Sequence, residues 1–126
     1  MFSHVMLGAS DMQASKKFYD AILGALGYKP GTMDEKGRCF YFTGSGVFAI
    51  TPPINGEAAS CGNGSTIGFA AKSPAEADAF HAAGLAAGGT SCEDPPGLRE
   101  GTIGKLYLAY LRDPSGNKIC ALHRVG

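Results

Sequence analysis

The chain carries one structural pattern twice, and this internal repeat limits the folds that are open to it. Each copy begins with an alternating strand-like run, passes a serine and an amphipathic helix, stops at glycine and returns to strands. The serines that precede the helices, Ser10 and Ser73, are 63 positions apart (73 − 10 = 63), which is half of the 126 residues. We therefore expect an α+β fold of two βαβββ modules, which form a curved mixed sheet around a groove.

The length and the turn-forming residues predict how the modules are arranged along the chain. A chain of 126 residues fits a single domain with a substantial core. We assign residues 1–52 to module one, residues 65–126 to module two, and the Pro-, Gly- and Asn-rich residues 53–64 to a connector. Ser10 with Gln13 forms a capping box that predicts the first helix start, and Ser73 with Glu76 predicts the second.

The composition excludes several classes of partner. Eleven basic and eleven acidic residues leave no formal net charge, which argues against binding to nucleic acid or to an anionic membrane and permits self-association. No apolar run approaches the roughly 20 residues that span a membrane, and the first residues do not resemble a secretory signal. The four cysteines are widely spaced, and we expect them to be reduced thiols. These features predict a cytoplasmic protein, and the expected groove between the modules suits a small-molecule partner.

Hairpin turns separate the predicted strands of each module. In module one, strands at residues 38–43 and 47–51 flank a short Gly-rich turn around Gly44. In module two, strands at residues 106–112 and 118–123 flank the turn that contains Pro114. The polar residues 91–104 are predicted to form a loop.

Three stretches carry a resemblance to a known family. They are residues 4–7 running into Asp11 and residues 18–20, residues 66–71, and residues 112–119, the last of which is similar to a "DP-x-G-N-x-I-E" hairpin. In this order they resemble the vicinal oxygen chelate superfamily, which includes glyoxalase I, extradiol dioxygenases and bleomycin-resistance proteins. The resemblance implies a glyoxalase-like fold and a homodimer.

The resemblance also implies where a metal would bind. Enzymes of this superfamily hold a divalent metal through His and Glu side chains on inner strands. Carried onto this sequence, the four ligand positions are His4, Ala49, Thr66 and Cys120. Only His4 matches the expected ligand type, and alanine cannot ligate a metal. We therefore expect no metal site and no cofactor, and a divalent metal is not favoured.

Strand alternation predicts which side chains line the groove instead. The hairpin around Gly44 places Arg38, Phe40 and Phe42 on the same side as Ala49. The hairpin around Pro114 is expected to set Ala109 opposite Cys120, with Tyr107 on that face. The predicted ligand-binding residues are Arg38, Phe40, Phe42, Ala49, Thr66 and Tyr107, and the candidate catalytic residues are His4 and Cys120. An apolar and aromatic pocket with a few polar groups is typical of a small-molecule site.

Three classes of function fit these residues, and whether the protein is an enzyme stays open. The first is a metal-independent protein that binds a small aromatic or anionic ligand, as the bleomycin-resistance branch does. The second is a lyase or isomerase of the superfamily with a rebuilt site that uses His4 and Cys120. The third is an assembly or regulatory protein with a vestigial groove. The missing ligand residues favour the first class over a metal-dependent glyoxalase I.

Overall fold

The computed structural model describes residues 1–126 and shows the predicted repeat of strand, helix and strands. The elements of module one are β1 (His4–Gly8), α1 (Met12–Ala25), β2 (Thr32–Met33), β3 (Cys39–Thr43) and β4 (Gly46–Thr51). The elements of module two are β5 (Ile67–Ala70), α2 (Pro74–Ala86), β6 (Thr90–Ser91), β7 (Gly97–Gly101), β8 (Gly104–Arg112) and β9 (Lys118–Val125). Neither helix is long and apolar enough to cross a membrane.

The strands form two mixed sheets of the same design. The first has the order β1-β4-β3-β2 and the second the order β5-β9-β8-β6, with β7 also paired to β8. In each sheet the first strand of the module is parallel to the last strand, and the other pairs are antiparallel. No strand pairing joins the two sheets. The α+β fold of two βαβββ modules is thus confirmed, with each module contributing its own sheet.

Helix α1 begins one residue later than the sequence predicts. Its N-cap is Asp11, whose side chain accepts a 3.0 Å hydrogen bond from the Ala14 amide. Ser10, the predicted cap, is used elsewhere because its hydroxyl accepts a bond from the Ala59 amide of the connector and its own amide donates to Ser115. A tertiary contact therefore displaces the local capping box.

Helix α2 begins as predicted. The Ser73 hydroxyl accepts a 3.1 Å bond from the Glu76 amide, and Pro74 occupies the first helical position. The Glu76 carboxylate reaches back and accepts a bond from the Lys72 amide. These contacts satisfy amides that the first turn of a helix leaves without partners.

One hydrophobic core serves both modules. The two helices pack against each other and against both sheets, and 17 buried residues form a single cluster. Gly84 allows the closest approach, since a Cβ there would lie 2.4 Å from a Leu111 methyl and 3.1 Å from Ile22. The rings of Phe48 and Phe69 meet across the modules with centroids 5.1 Å apart. The core therefore lies on the helix side of each sheet and leaves the opposite faces uncovered.

Two predictions for module two are wrong. Residues 91–104 are not a loop throughout, because β7 pairs with the long strand β8 along its outer edge. The predicted five-residue turn at residues 113–117 is confirmed, but the predicted cross-strand pairing is off by one residue, because Arg112 lies opposite Lys118. Tyr110, and not Ala109, is therefore opposite Cys120. A one-residue change of register moves every side chain to the other face, so Tyr107 points towards the helices.

Candidate functional site

Each sheet has an open face, defined as the face turned away from the helices. On module one, the strand register pairs Met6 with Ala49 and Ala49 with Phe40, so these side chains share a face. His4 and Phe42 both pair with Val47 and lie on the same face. The intervening residues of these strands belong to the core. The alternation predicted for module one is therefore confirmed.

A cavity of about 560 Å³ lies on the open face of module one. It brings together four of the predicted site residues, which are His4, Arg38, Phe40 and Phe42. The Phe40 and Phe42 rings are stacked, with centroids 6.1 Å apart and planes 15° apart, and Phe42 is 66% exposed. Other lining residues are Ser3, Met6, Thr32, Met33, Asp34 and Val47. The cavity therefore offers an apolar and aromatic surface with a few polar groups.

Ala49 lies beneath this surface and not at its edge. It is fully buried, yet it is not part of the helix-side core cluster. Its neighbours on the open face are Met6 on β1 and Phe40 on β3. A methyl group at this position packs between those side chains and supplies no ligand atom.

Arg38 already has a partner in this cavity. Its Nε and Nη2 atoms both contact Oδ2 of Asp34, at 2.7 and 2.6 Å, and its guanidinium lies 5.3 Å from the centroid of the Phe40 ring. Desolvation pushes the pKa of Asp34 upward, but hydrogen bonds from Arg38 and from backbone amides hold it below the ordinary value. Arg38 is thus oriented over the ring, and its charge is compensated.

His4 stands at the edge of this cavity, with an exposed side chain. Its Nδ1 atom lies 2.8 Å from the Ser3 hydroxyl, and the ring makes no other hydrogen bond within the protein. His4 and Val47 also line a second cavity, which lies between β1 and β5. His4 can therefore offer its remaining ring nitrogen to a ligand.

The open face of module two contains Cys120. The thiol is 4% exposed, and burial raises its pKa to about 11, with Lys118 opposing that shift and Glu93 and Cys92 adding to it. Gly68 is its strand neighbour on β5, and a Cβ there would lie 3.3 Å from the sulfur. Cys120 is thus a protonated, shielded thiol at neutral pH, the inert state expected of a buried cysteine.

Two neighbours of Cys120 were missed from the sequence. Tyr110 lies opposite it, and the Lys118 ammonium is 4.9 Å from the Tyr110 ring centroid and pairs with Glu93. Tyr107, predicted for this face, instead donates a 2.7 Å hydrogen bond to Asp78 on α2. Pairing the strands outward from Arg112 and Lys118, which flank the predicted turn, would have placed Tyr110 and not Tyr107 on the face of Cys120.

The four positions implied by the resemblance are divided between the two modules, and none of the three cavities that His4 or Thr66 lines is lined by all of them. His4 and Ala49 lie on the module-one sheet, and Cys120 lies on the other sheet. Thr66 is exposed and lines a crevice of about 360 Å³ between β1 and β5, separate from both cavities that His4 lines. Each module therefore contributes two of the four positions.

These residues do not fit a divalent metal. No group of three or more His, Cys, Asp or Glu side chains is arranged to hold an ion. Ala49 has no donor atom, and a thiolate at Cys120 is disfavoured because its pKa is raised to about 11. A metal site needs at least three ligands that are deprotonated and convergent.

Comparison with known proteins places this fold and sequence among relatives. The family model described as glyoxalase/bleomycin resistance protein/dioxygenase superfamily matches residues 1–121. The structure of a glyoxalase/bleomycin resistance protein from Albidiferax ferrireducens T118 is 66% identical, with a TM-score of 0.96 over 98% of this chain and 99% of that one. No curated protein matches the sequence.

More distant structures share the fold alone. A glyoxalase-related enzyme from Fulvimarina pelagi is 21% identical, with a TM-score of 0.75 over 98% of this chain and 88% of that one. A lactoylglutathione lyase from Agrobacterium tumefaciens is 19% identical, with a TM-score of 0.67 over 98% and 92%. The match of the family model to nearly the whole chain, on a fold of two βαβββ modules, shows that this chain belongs to the glyoxalase/bleomycin resistance protein/dioxygenase superfamily.

Proposed function

We propose that the protein is a metal-independent member of this superfamily that binds a small aromatic or anionic molecule on the open face of module one. The stacked pair of Phe40 and Phe42 in a cavity of about 560 Å³ carries this proposal. Rings of this kind offer apolar area and a face for stacking, and a favourable aromatic pair contributes about 0.5–1.5 kcal/mol beyond burial. His4 at the edge supplies one hydrogen-bonding group.

The charge of the ligand depends on Arg38 and Asp34. The guanidinium is held against the Phe40 ring, where it can reach a carboxylate stacked above the ring. Because Asp34 already occupies two of its nitrogens, an anionic ligand must share or displace that pair. We therefore propose that ring stacking provides most of the affinity and that Arg38 selects for anions.

The alternative function, a lyase or isomerase that uses His4 with Cys120, has no support within one chain. Cys120 is only 4% exposed and lines neither of the two cavities that contain His4. A nucleophilic cysteine needs an adjacent base or cation that lowers its pKa, whereas burial raises this one.

We further propose a cytoplasmic homodimer that binds neither nucleic acid nor membrane. Balanced charge, with eleven residues of each sign, supports the last two points. The apolar side chains of Met6, Met33 and Phe42 are 37%, 45% and 66% exposed around the same cavity. An exposed apolar surface of this kind favours contact with a second chain.

A ligand screen tests the binding function. Aromatic carboxylic acids and their neutral amides are screened by thermal shift, and the hits are titrated against wild-type protein and Phe40→Leu. We expect hits in the micromolar range that Phe40→Leu weakens, whether or not they are charged. The matched control is Tyr107→Phe, which changes a ring on the helix side of the other sheet. A screen without hits, or equal affinity for Phe40→Leu, would favour the assembly role.

A further inference from the structure

The internal repeat produces two equivalent seams between the modules. An offset of 62 residues relates the halves: the N-caps are Asp11 and Ser73 (73 − 11 = 62), and the fully buried aromatic residues Phe18 and Phe80 follow the same offset (80 − 18 = 62). The edge strands β1 and β5 face each other across the seams, since residues of both line one cavity at each seam. The protein thus contains the same junction twice.

The cavities at the two seams are built from equivalent residues. The cavity at the first seam is lined by residues 5–8 of β1, residues 66–67 of module two, and residues 117–118, where β9 begins. Adding 62 to residues 5–8 gives 67–70, and subtracting 62 from residues 66–67 gives 4–5. Both sets of residues line the other cavity, which lies at the second seam. Val5 pairs with Phe48, and its counterpart Ile67 pairs with Ile119, so Phe48 corresponds to Ile119. The two residues before each of these also correspond, so that Gly46 and Val47 are the counterparts of Asn117 and Lys118.

One seam is held by hydrogen bonds that the other lacks. The Asn117 side-chain amide donates a 2.9 Å bond to the Gly8 carbonyl and a second to the Asp113 carboxylate. Gly46, its counterpart, has no side chain. The three direct side-chain hydrogen bonds between the modules, Ser10–Ser115, Tyr19–Asp113 and Asn117–Gly8, all lie at the first seam.

The backbone acceptor is nevertheless present at the second seam. The Ala9 amide donates to Thr51 and the Ala71 amide donates to Leu122, so both strands end with the same ladder geometry. In a parallel pair, successive residues direct their carbonyls to opposite sides. The carbonyl of Ala70 therefore points away from β9 and towards the second seam. In the same way, the carbonyl of Gly8 points away from β4 and towards the first seam.

The cavity at the second seam is apolar where its counterpart is polar. It measures about 360 Å³, and ten of its 15 lining residues are hydrophobic, including Val5, Leu23, Phe48 and Phe69. Tyr28 also lines it, and its hydroxyl makes no hydrogen bond within the protein. A dry apolar cavity of about 150 Å³ can hold benzene, so this volume accommodates a ring with a substituent.

We propose that the cavity beside Gly46 binds a small aromatic amide. The ring lies against Phe48 and Phe69, and the amide N–H donates to the Ala70 carbonyl in the way that the Asn117 side chain donates to Gly8. This site is separate from the one that carries the proposed function, although His4 and Val47 line both cavities. A molecule bound here bridges the modules at the seam that lacks a hydrogen bond of its own.

The test uses benzamide as the probe and substitutions at Gly46 to change the cavity. Benzamide is titrated into isotope-labelled protein, and we expect saturable shifts of the backbone amide signals of Gly46, Phe69 and Ala70. Toluene, which has no N–H donor, should bind about tenfold more weakly. A Cβ at Gly46 would meet nothing closer than 3.7 Å, and its φ is not left-handed, so a side chain is tolerated there.

The variants separate the proposal from its alternatives. Gly46→Asn supplies the missing amide, so it should raise Tm and abolish the benzamide-induced shifts of Phe69 and Ala70, while Gly46→Ala should keep them. Gly46→Leu, which fills the cavity without an amide, should also abolish these shifts and serves if Gly46→Asn is unstable. Phe40→Leu, in the other cavity, should leave the shifts of Gly46, Phe69 and Ala70 unchanged, even though it weakens binding at its own site. Shifts confined to the signals of Phe40 and Phe42, unchanged shifts of Phe69 and Ala70 in Gly46→Leu, or no saturable shift would overturn the proposal.

Discussion

Tyr19 in α1 donates a 2.6 Å hydrogen bond to the Asp113 carboxylate in the β8–β9 turn, and so joins the two modules through the core. Asp113 is 5% exposed and also accepts bonds from the Ser115 amide and from both nitrogens of Asn117. The DPSGN turn is therefore more than a tight connection. Its carboxylate fixes the turn and binds the first helix at once.

The first prediction concerns this contact. Tyr19→Phe keeps the ring but removes a donor from a buried carboxylate, which we expect to cost about 1.5–3 kcal/mol in the free energy of unfolding. Burial, together with Asp113, holds the pKa of Tyr19 well above its ordinary value, so the donor persists across the usual pH range. Urea unfolding measures the change. Tyr28→Phe, which removes a hydroxyl without a partner, is the control, and equal stability of the two variants would contradict the prediction.

A second prediction concerns the reactivity of the cysteines. Cys61 is exposed, whereas Cys39 and Cys120 are buried. Burial raises the pKa of both buried thiols, that of Cys120 to about 11. Because the thiolate is the reactive form, a raised pKa means less thiolate at pH 8. Alkylation followed by mass spectrometry should modify Cys61 first and Cys120 only slowly, with a rate that rises as the pH approaches 11. Fast labelling of Cys120 at pH 7 would support the catalytic alternative.

The same shift predicts a loss of stability at high pH. The folded state binds the Cys120 proton more tightly than the unfolded state, whose cysteine pKa is about 8.5. Stability is therefore complete below that value and falls as the pH rises towards the folded value of about 11. Comparing the pH dependence of unfolding between wild type and Cys120→Ala isolates this contribution. A steeper loss in Cys120→Ala than in wild type would show the wrong sign.

The fold and half of the site could be predicted from the sequence because their signals are local. Alternation in β1 places His4 and Met6 on one face whatever the neighbouring strands do, and the short turn between β3 and β4 leaves only one register for Phe40. The module-two site could not be predicted in the same way. The sequence predicts the five-residue turn at residues 113–117 with the right bounds, but a turn of this length permits more than one pairing of the flanking strands, and a shift of one residue exchanges the faces.

A tertiary contact and a local hairpin account for the other differences from prediction. Ser10 and Gln13 form a sound local capping box, but the connector amide of Ala59 competes for the serine hydroxyl and the cap moves to Asp11. Strand β7 contains glycines and charged residues that hide any alternation, and it forms because β8 is nine residues long and has a free edge. Ala59 is distant from Ser10 in sequence, whereas β7 and β8 form a local hairpin that is joined by residues 102–103.

A further prediction concerns metal content. The resemblance places Ala49, Thr66 and Cys120 at the positions where the superfamily's enzymes carry ligands, so we expect the purified protein to hold no stoichiometric divalent metal. Elemental analysis after purification without chelators measures this. Isomerisation of the hemithioacetal of glutathione and methylglyoxal should stay at background. About one zinc, nickel or iron per chain that His4→Ala abolishes would contradict the prediction.

The last prediction concerns the selectivity of the module-one cavity for charge. Two nitrogens of Arg38 contact one carboxylate oxygen of Asp34, which neutralises the charge of Arg38. The cavity therefore contains a guanidinium that becomes available to an anion if Asp34 is removed. Asp34→Asn should release the guanidinium and strengthen binding of aromatic carboxylates by about tenfold, which corresponds to one charge-assisted hydrogen bond. Arg38→Ala should weaken the same acids by a similar factor, and neither change should alter the affinity of neutral aromatic compounds that stack on Phe40. Isothermal titration with matched pairs of acid and amide measures both effects. If acids and amides respond equally to both variants, Arg38 has a structural role and the selectivity for anions lies elsewhere.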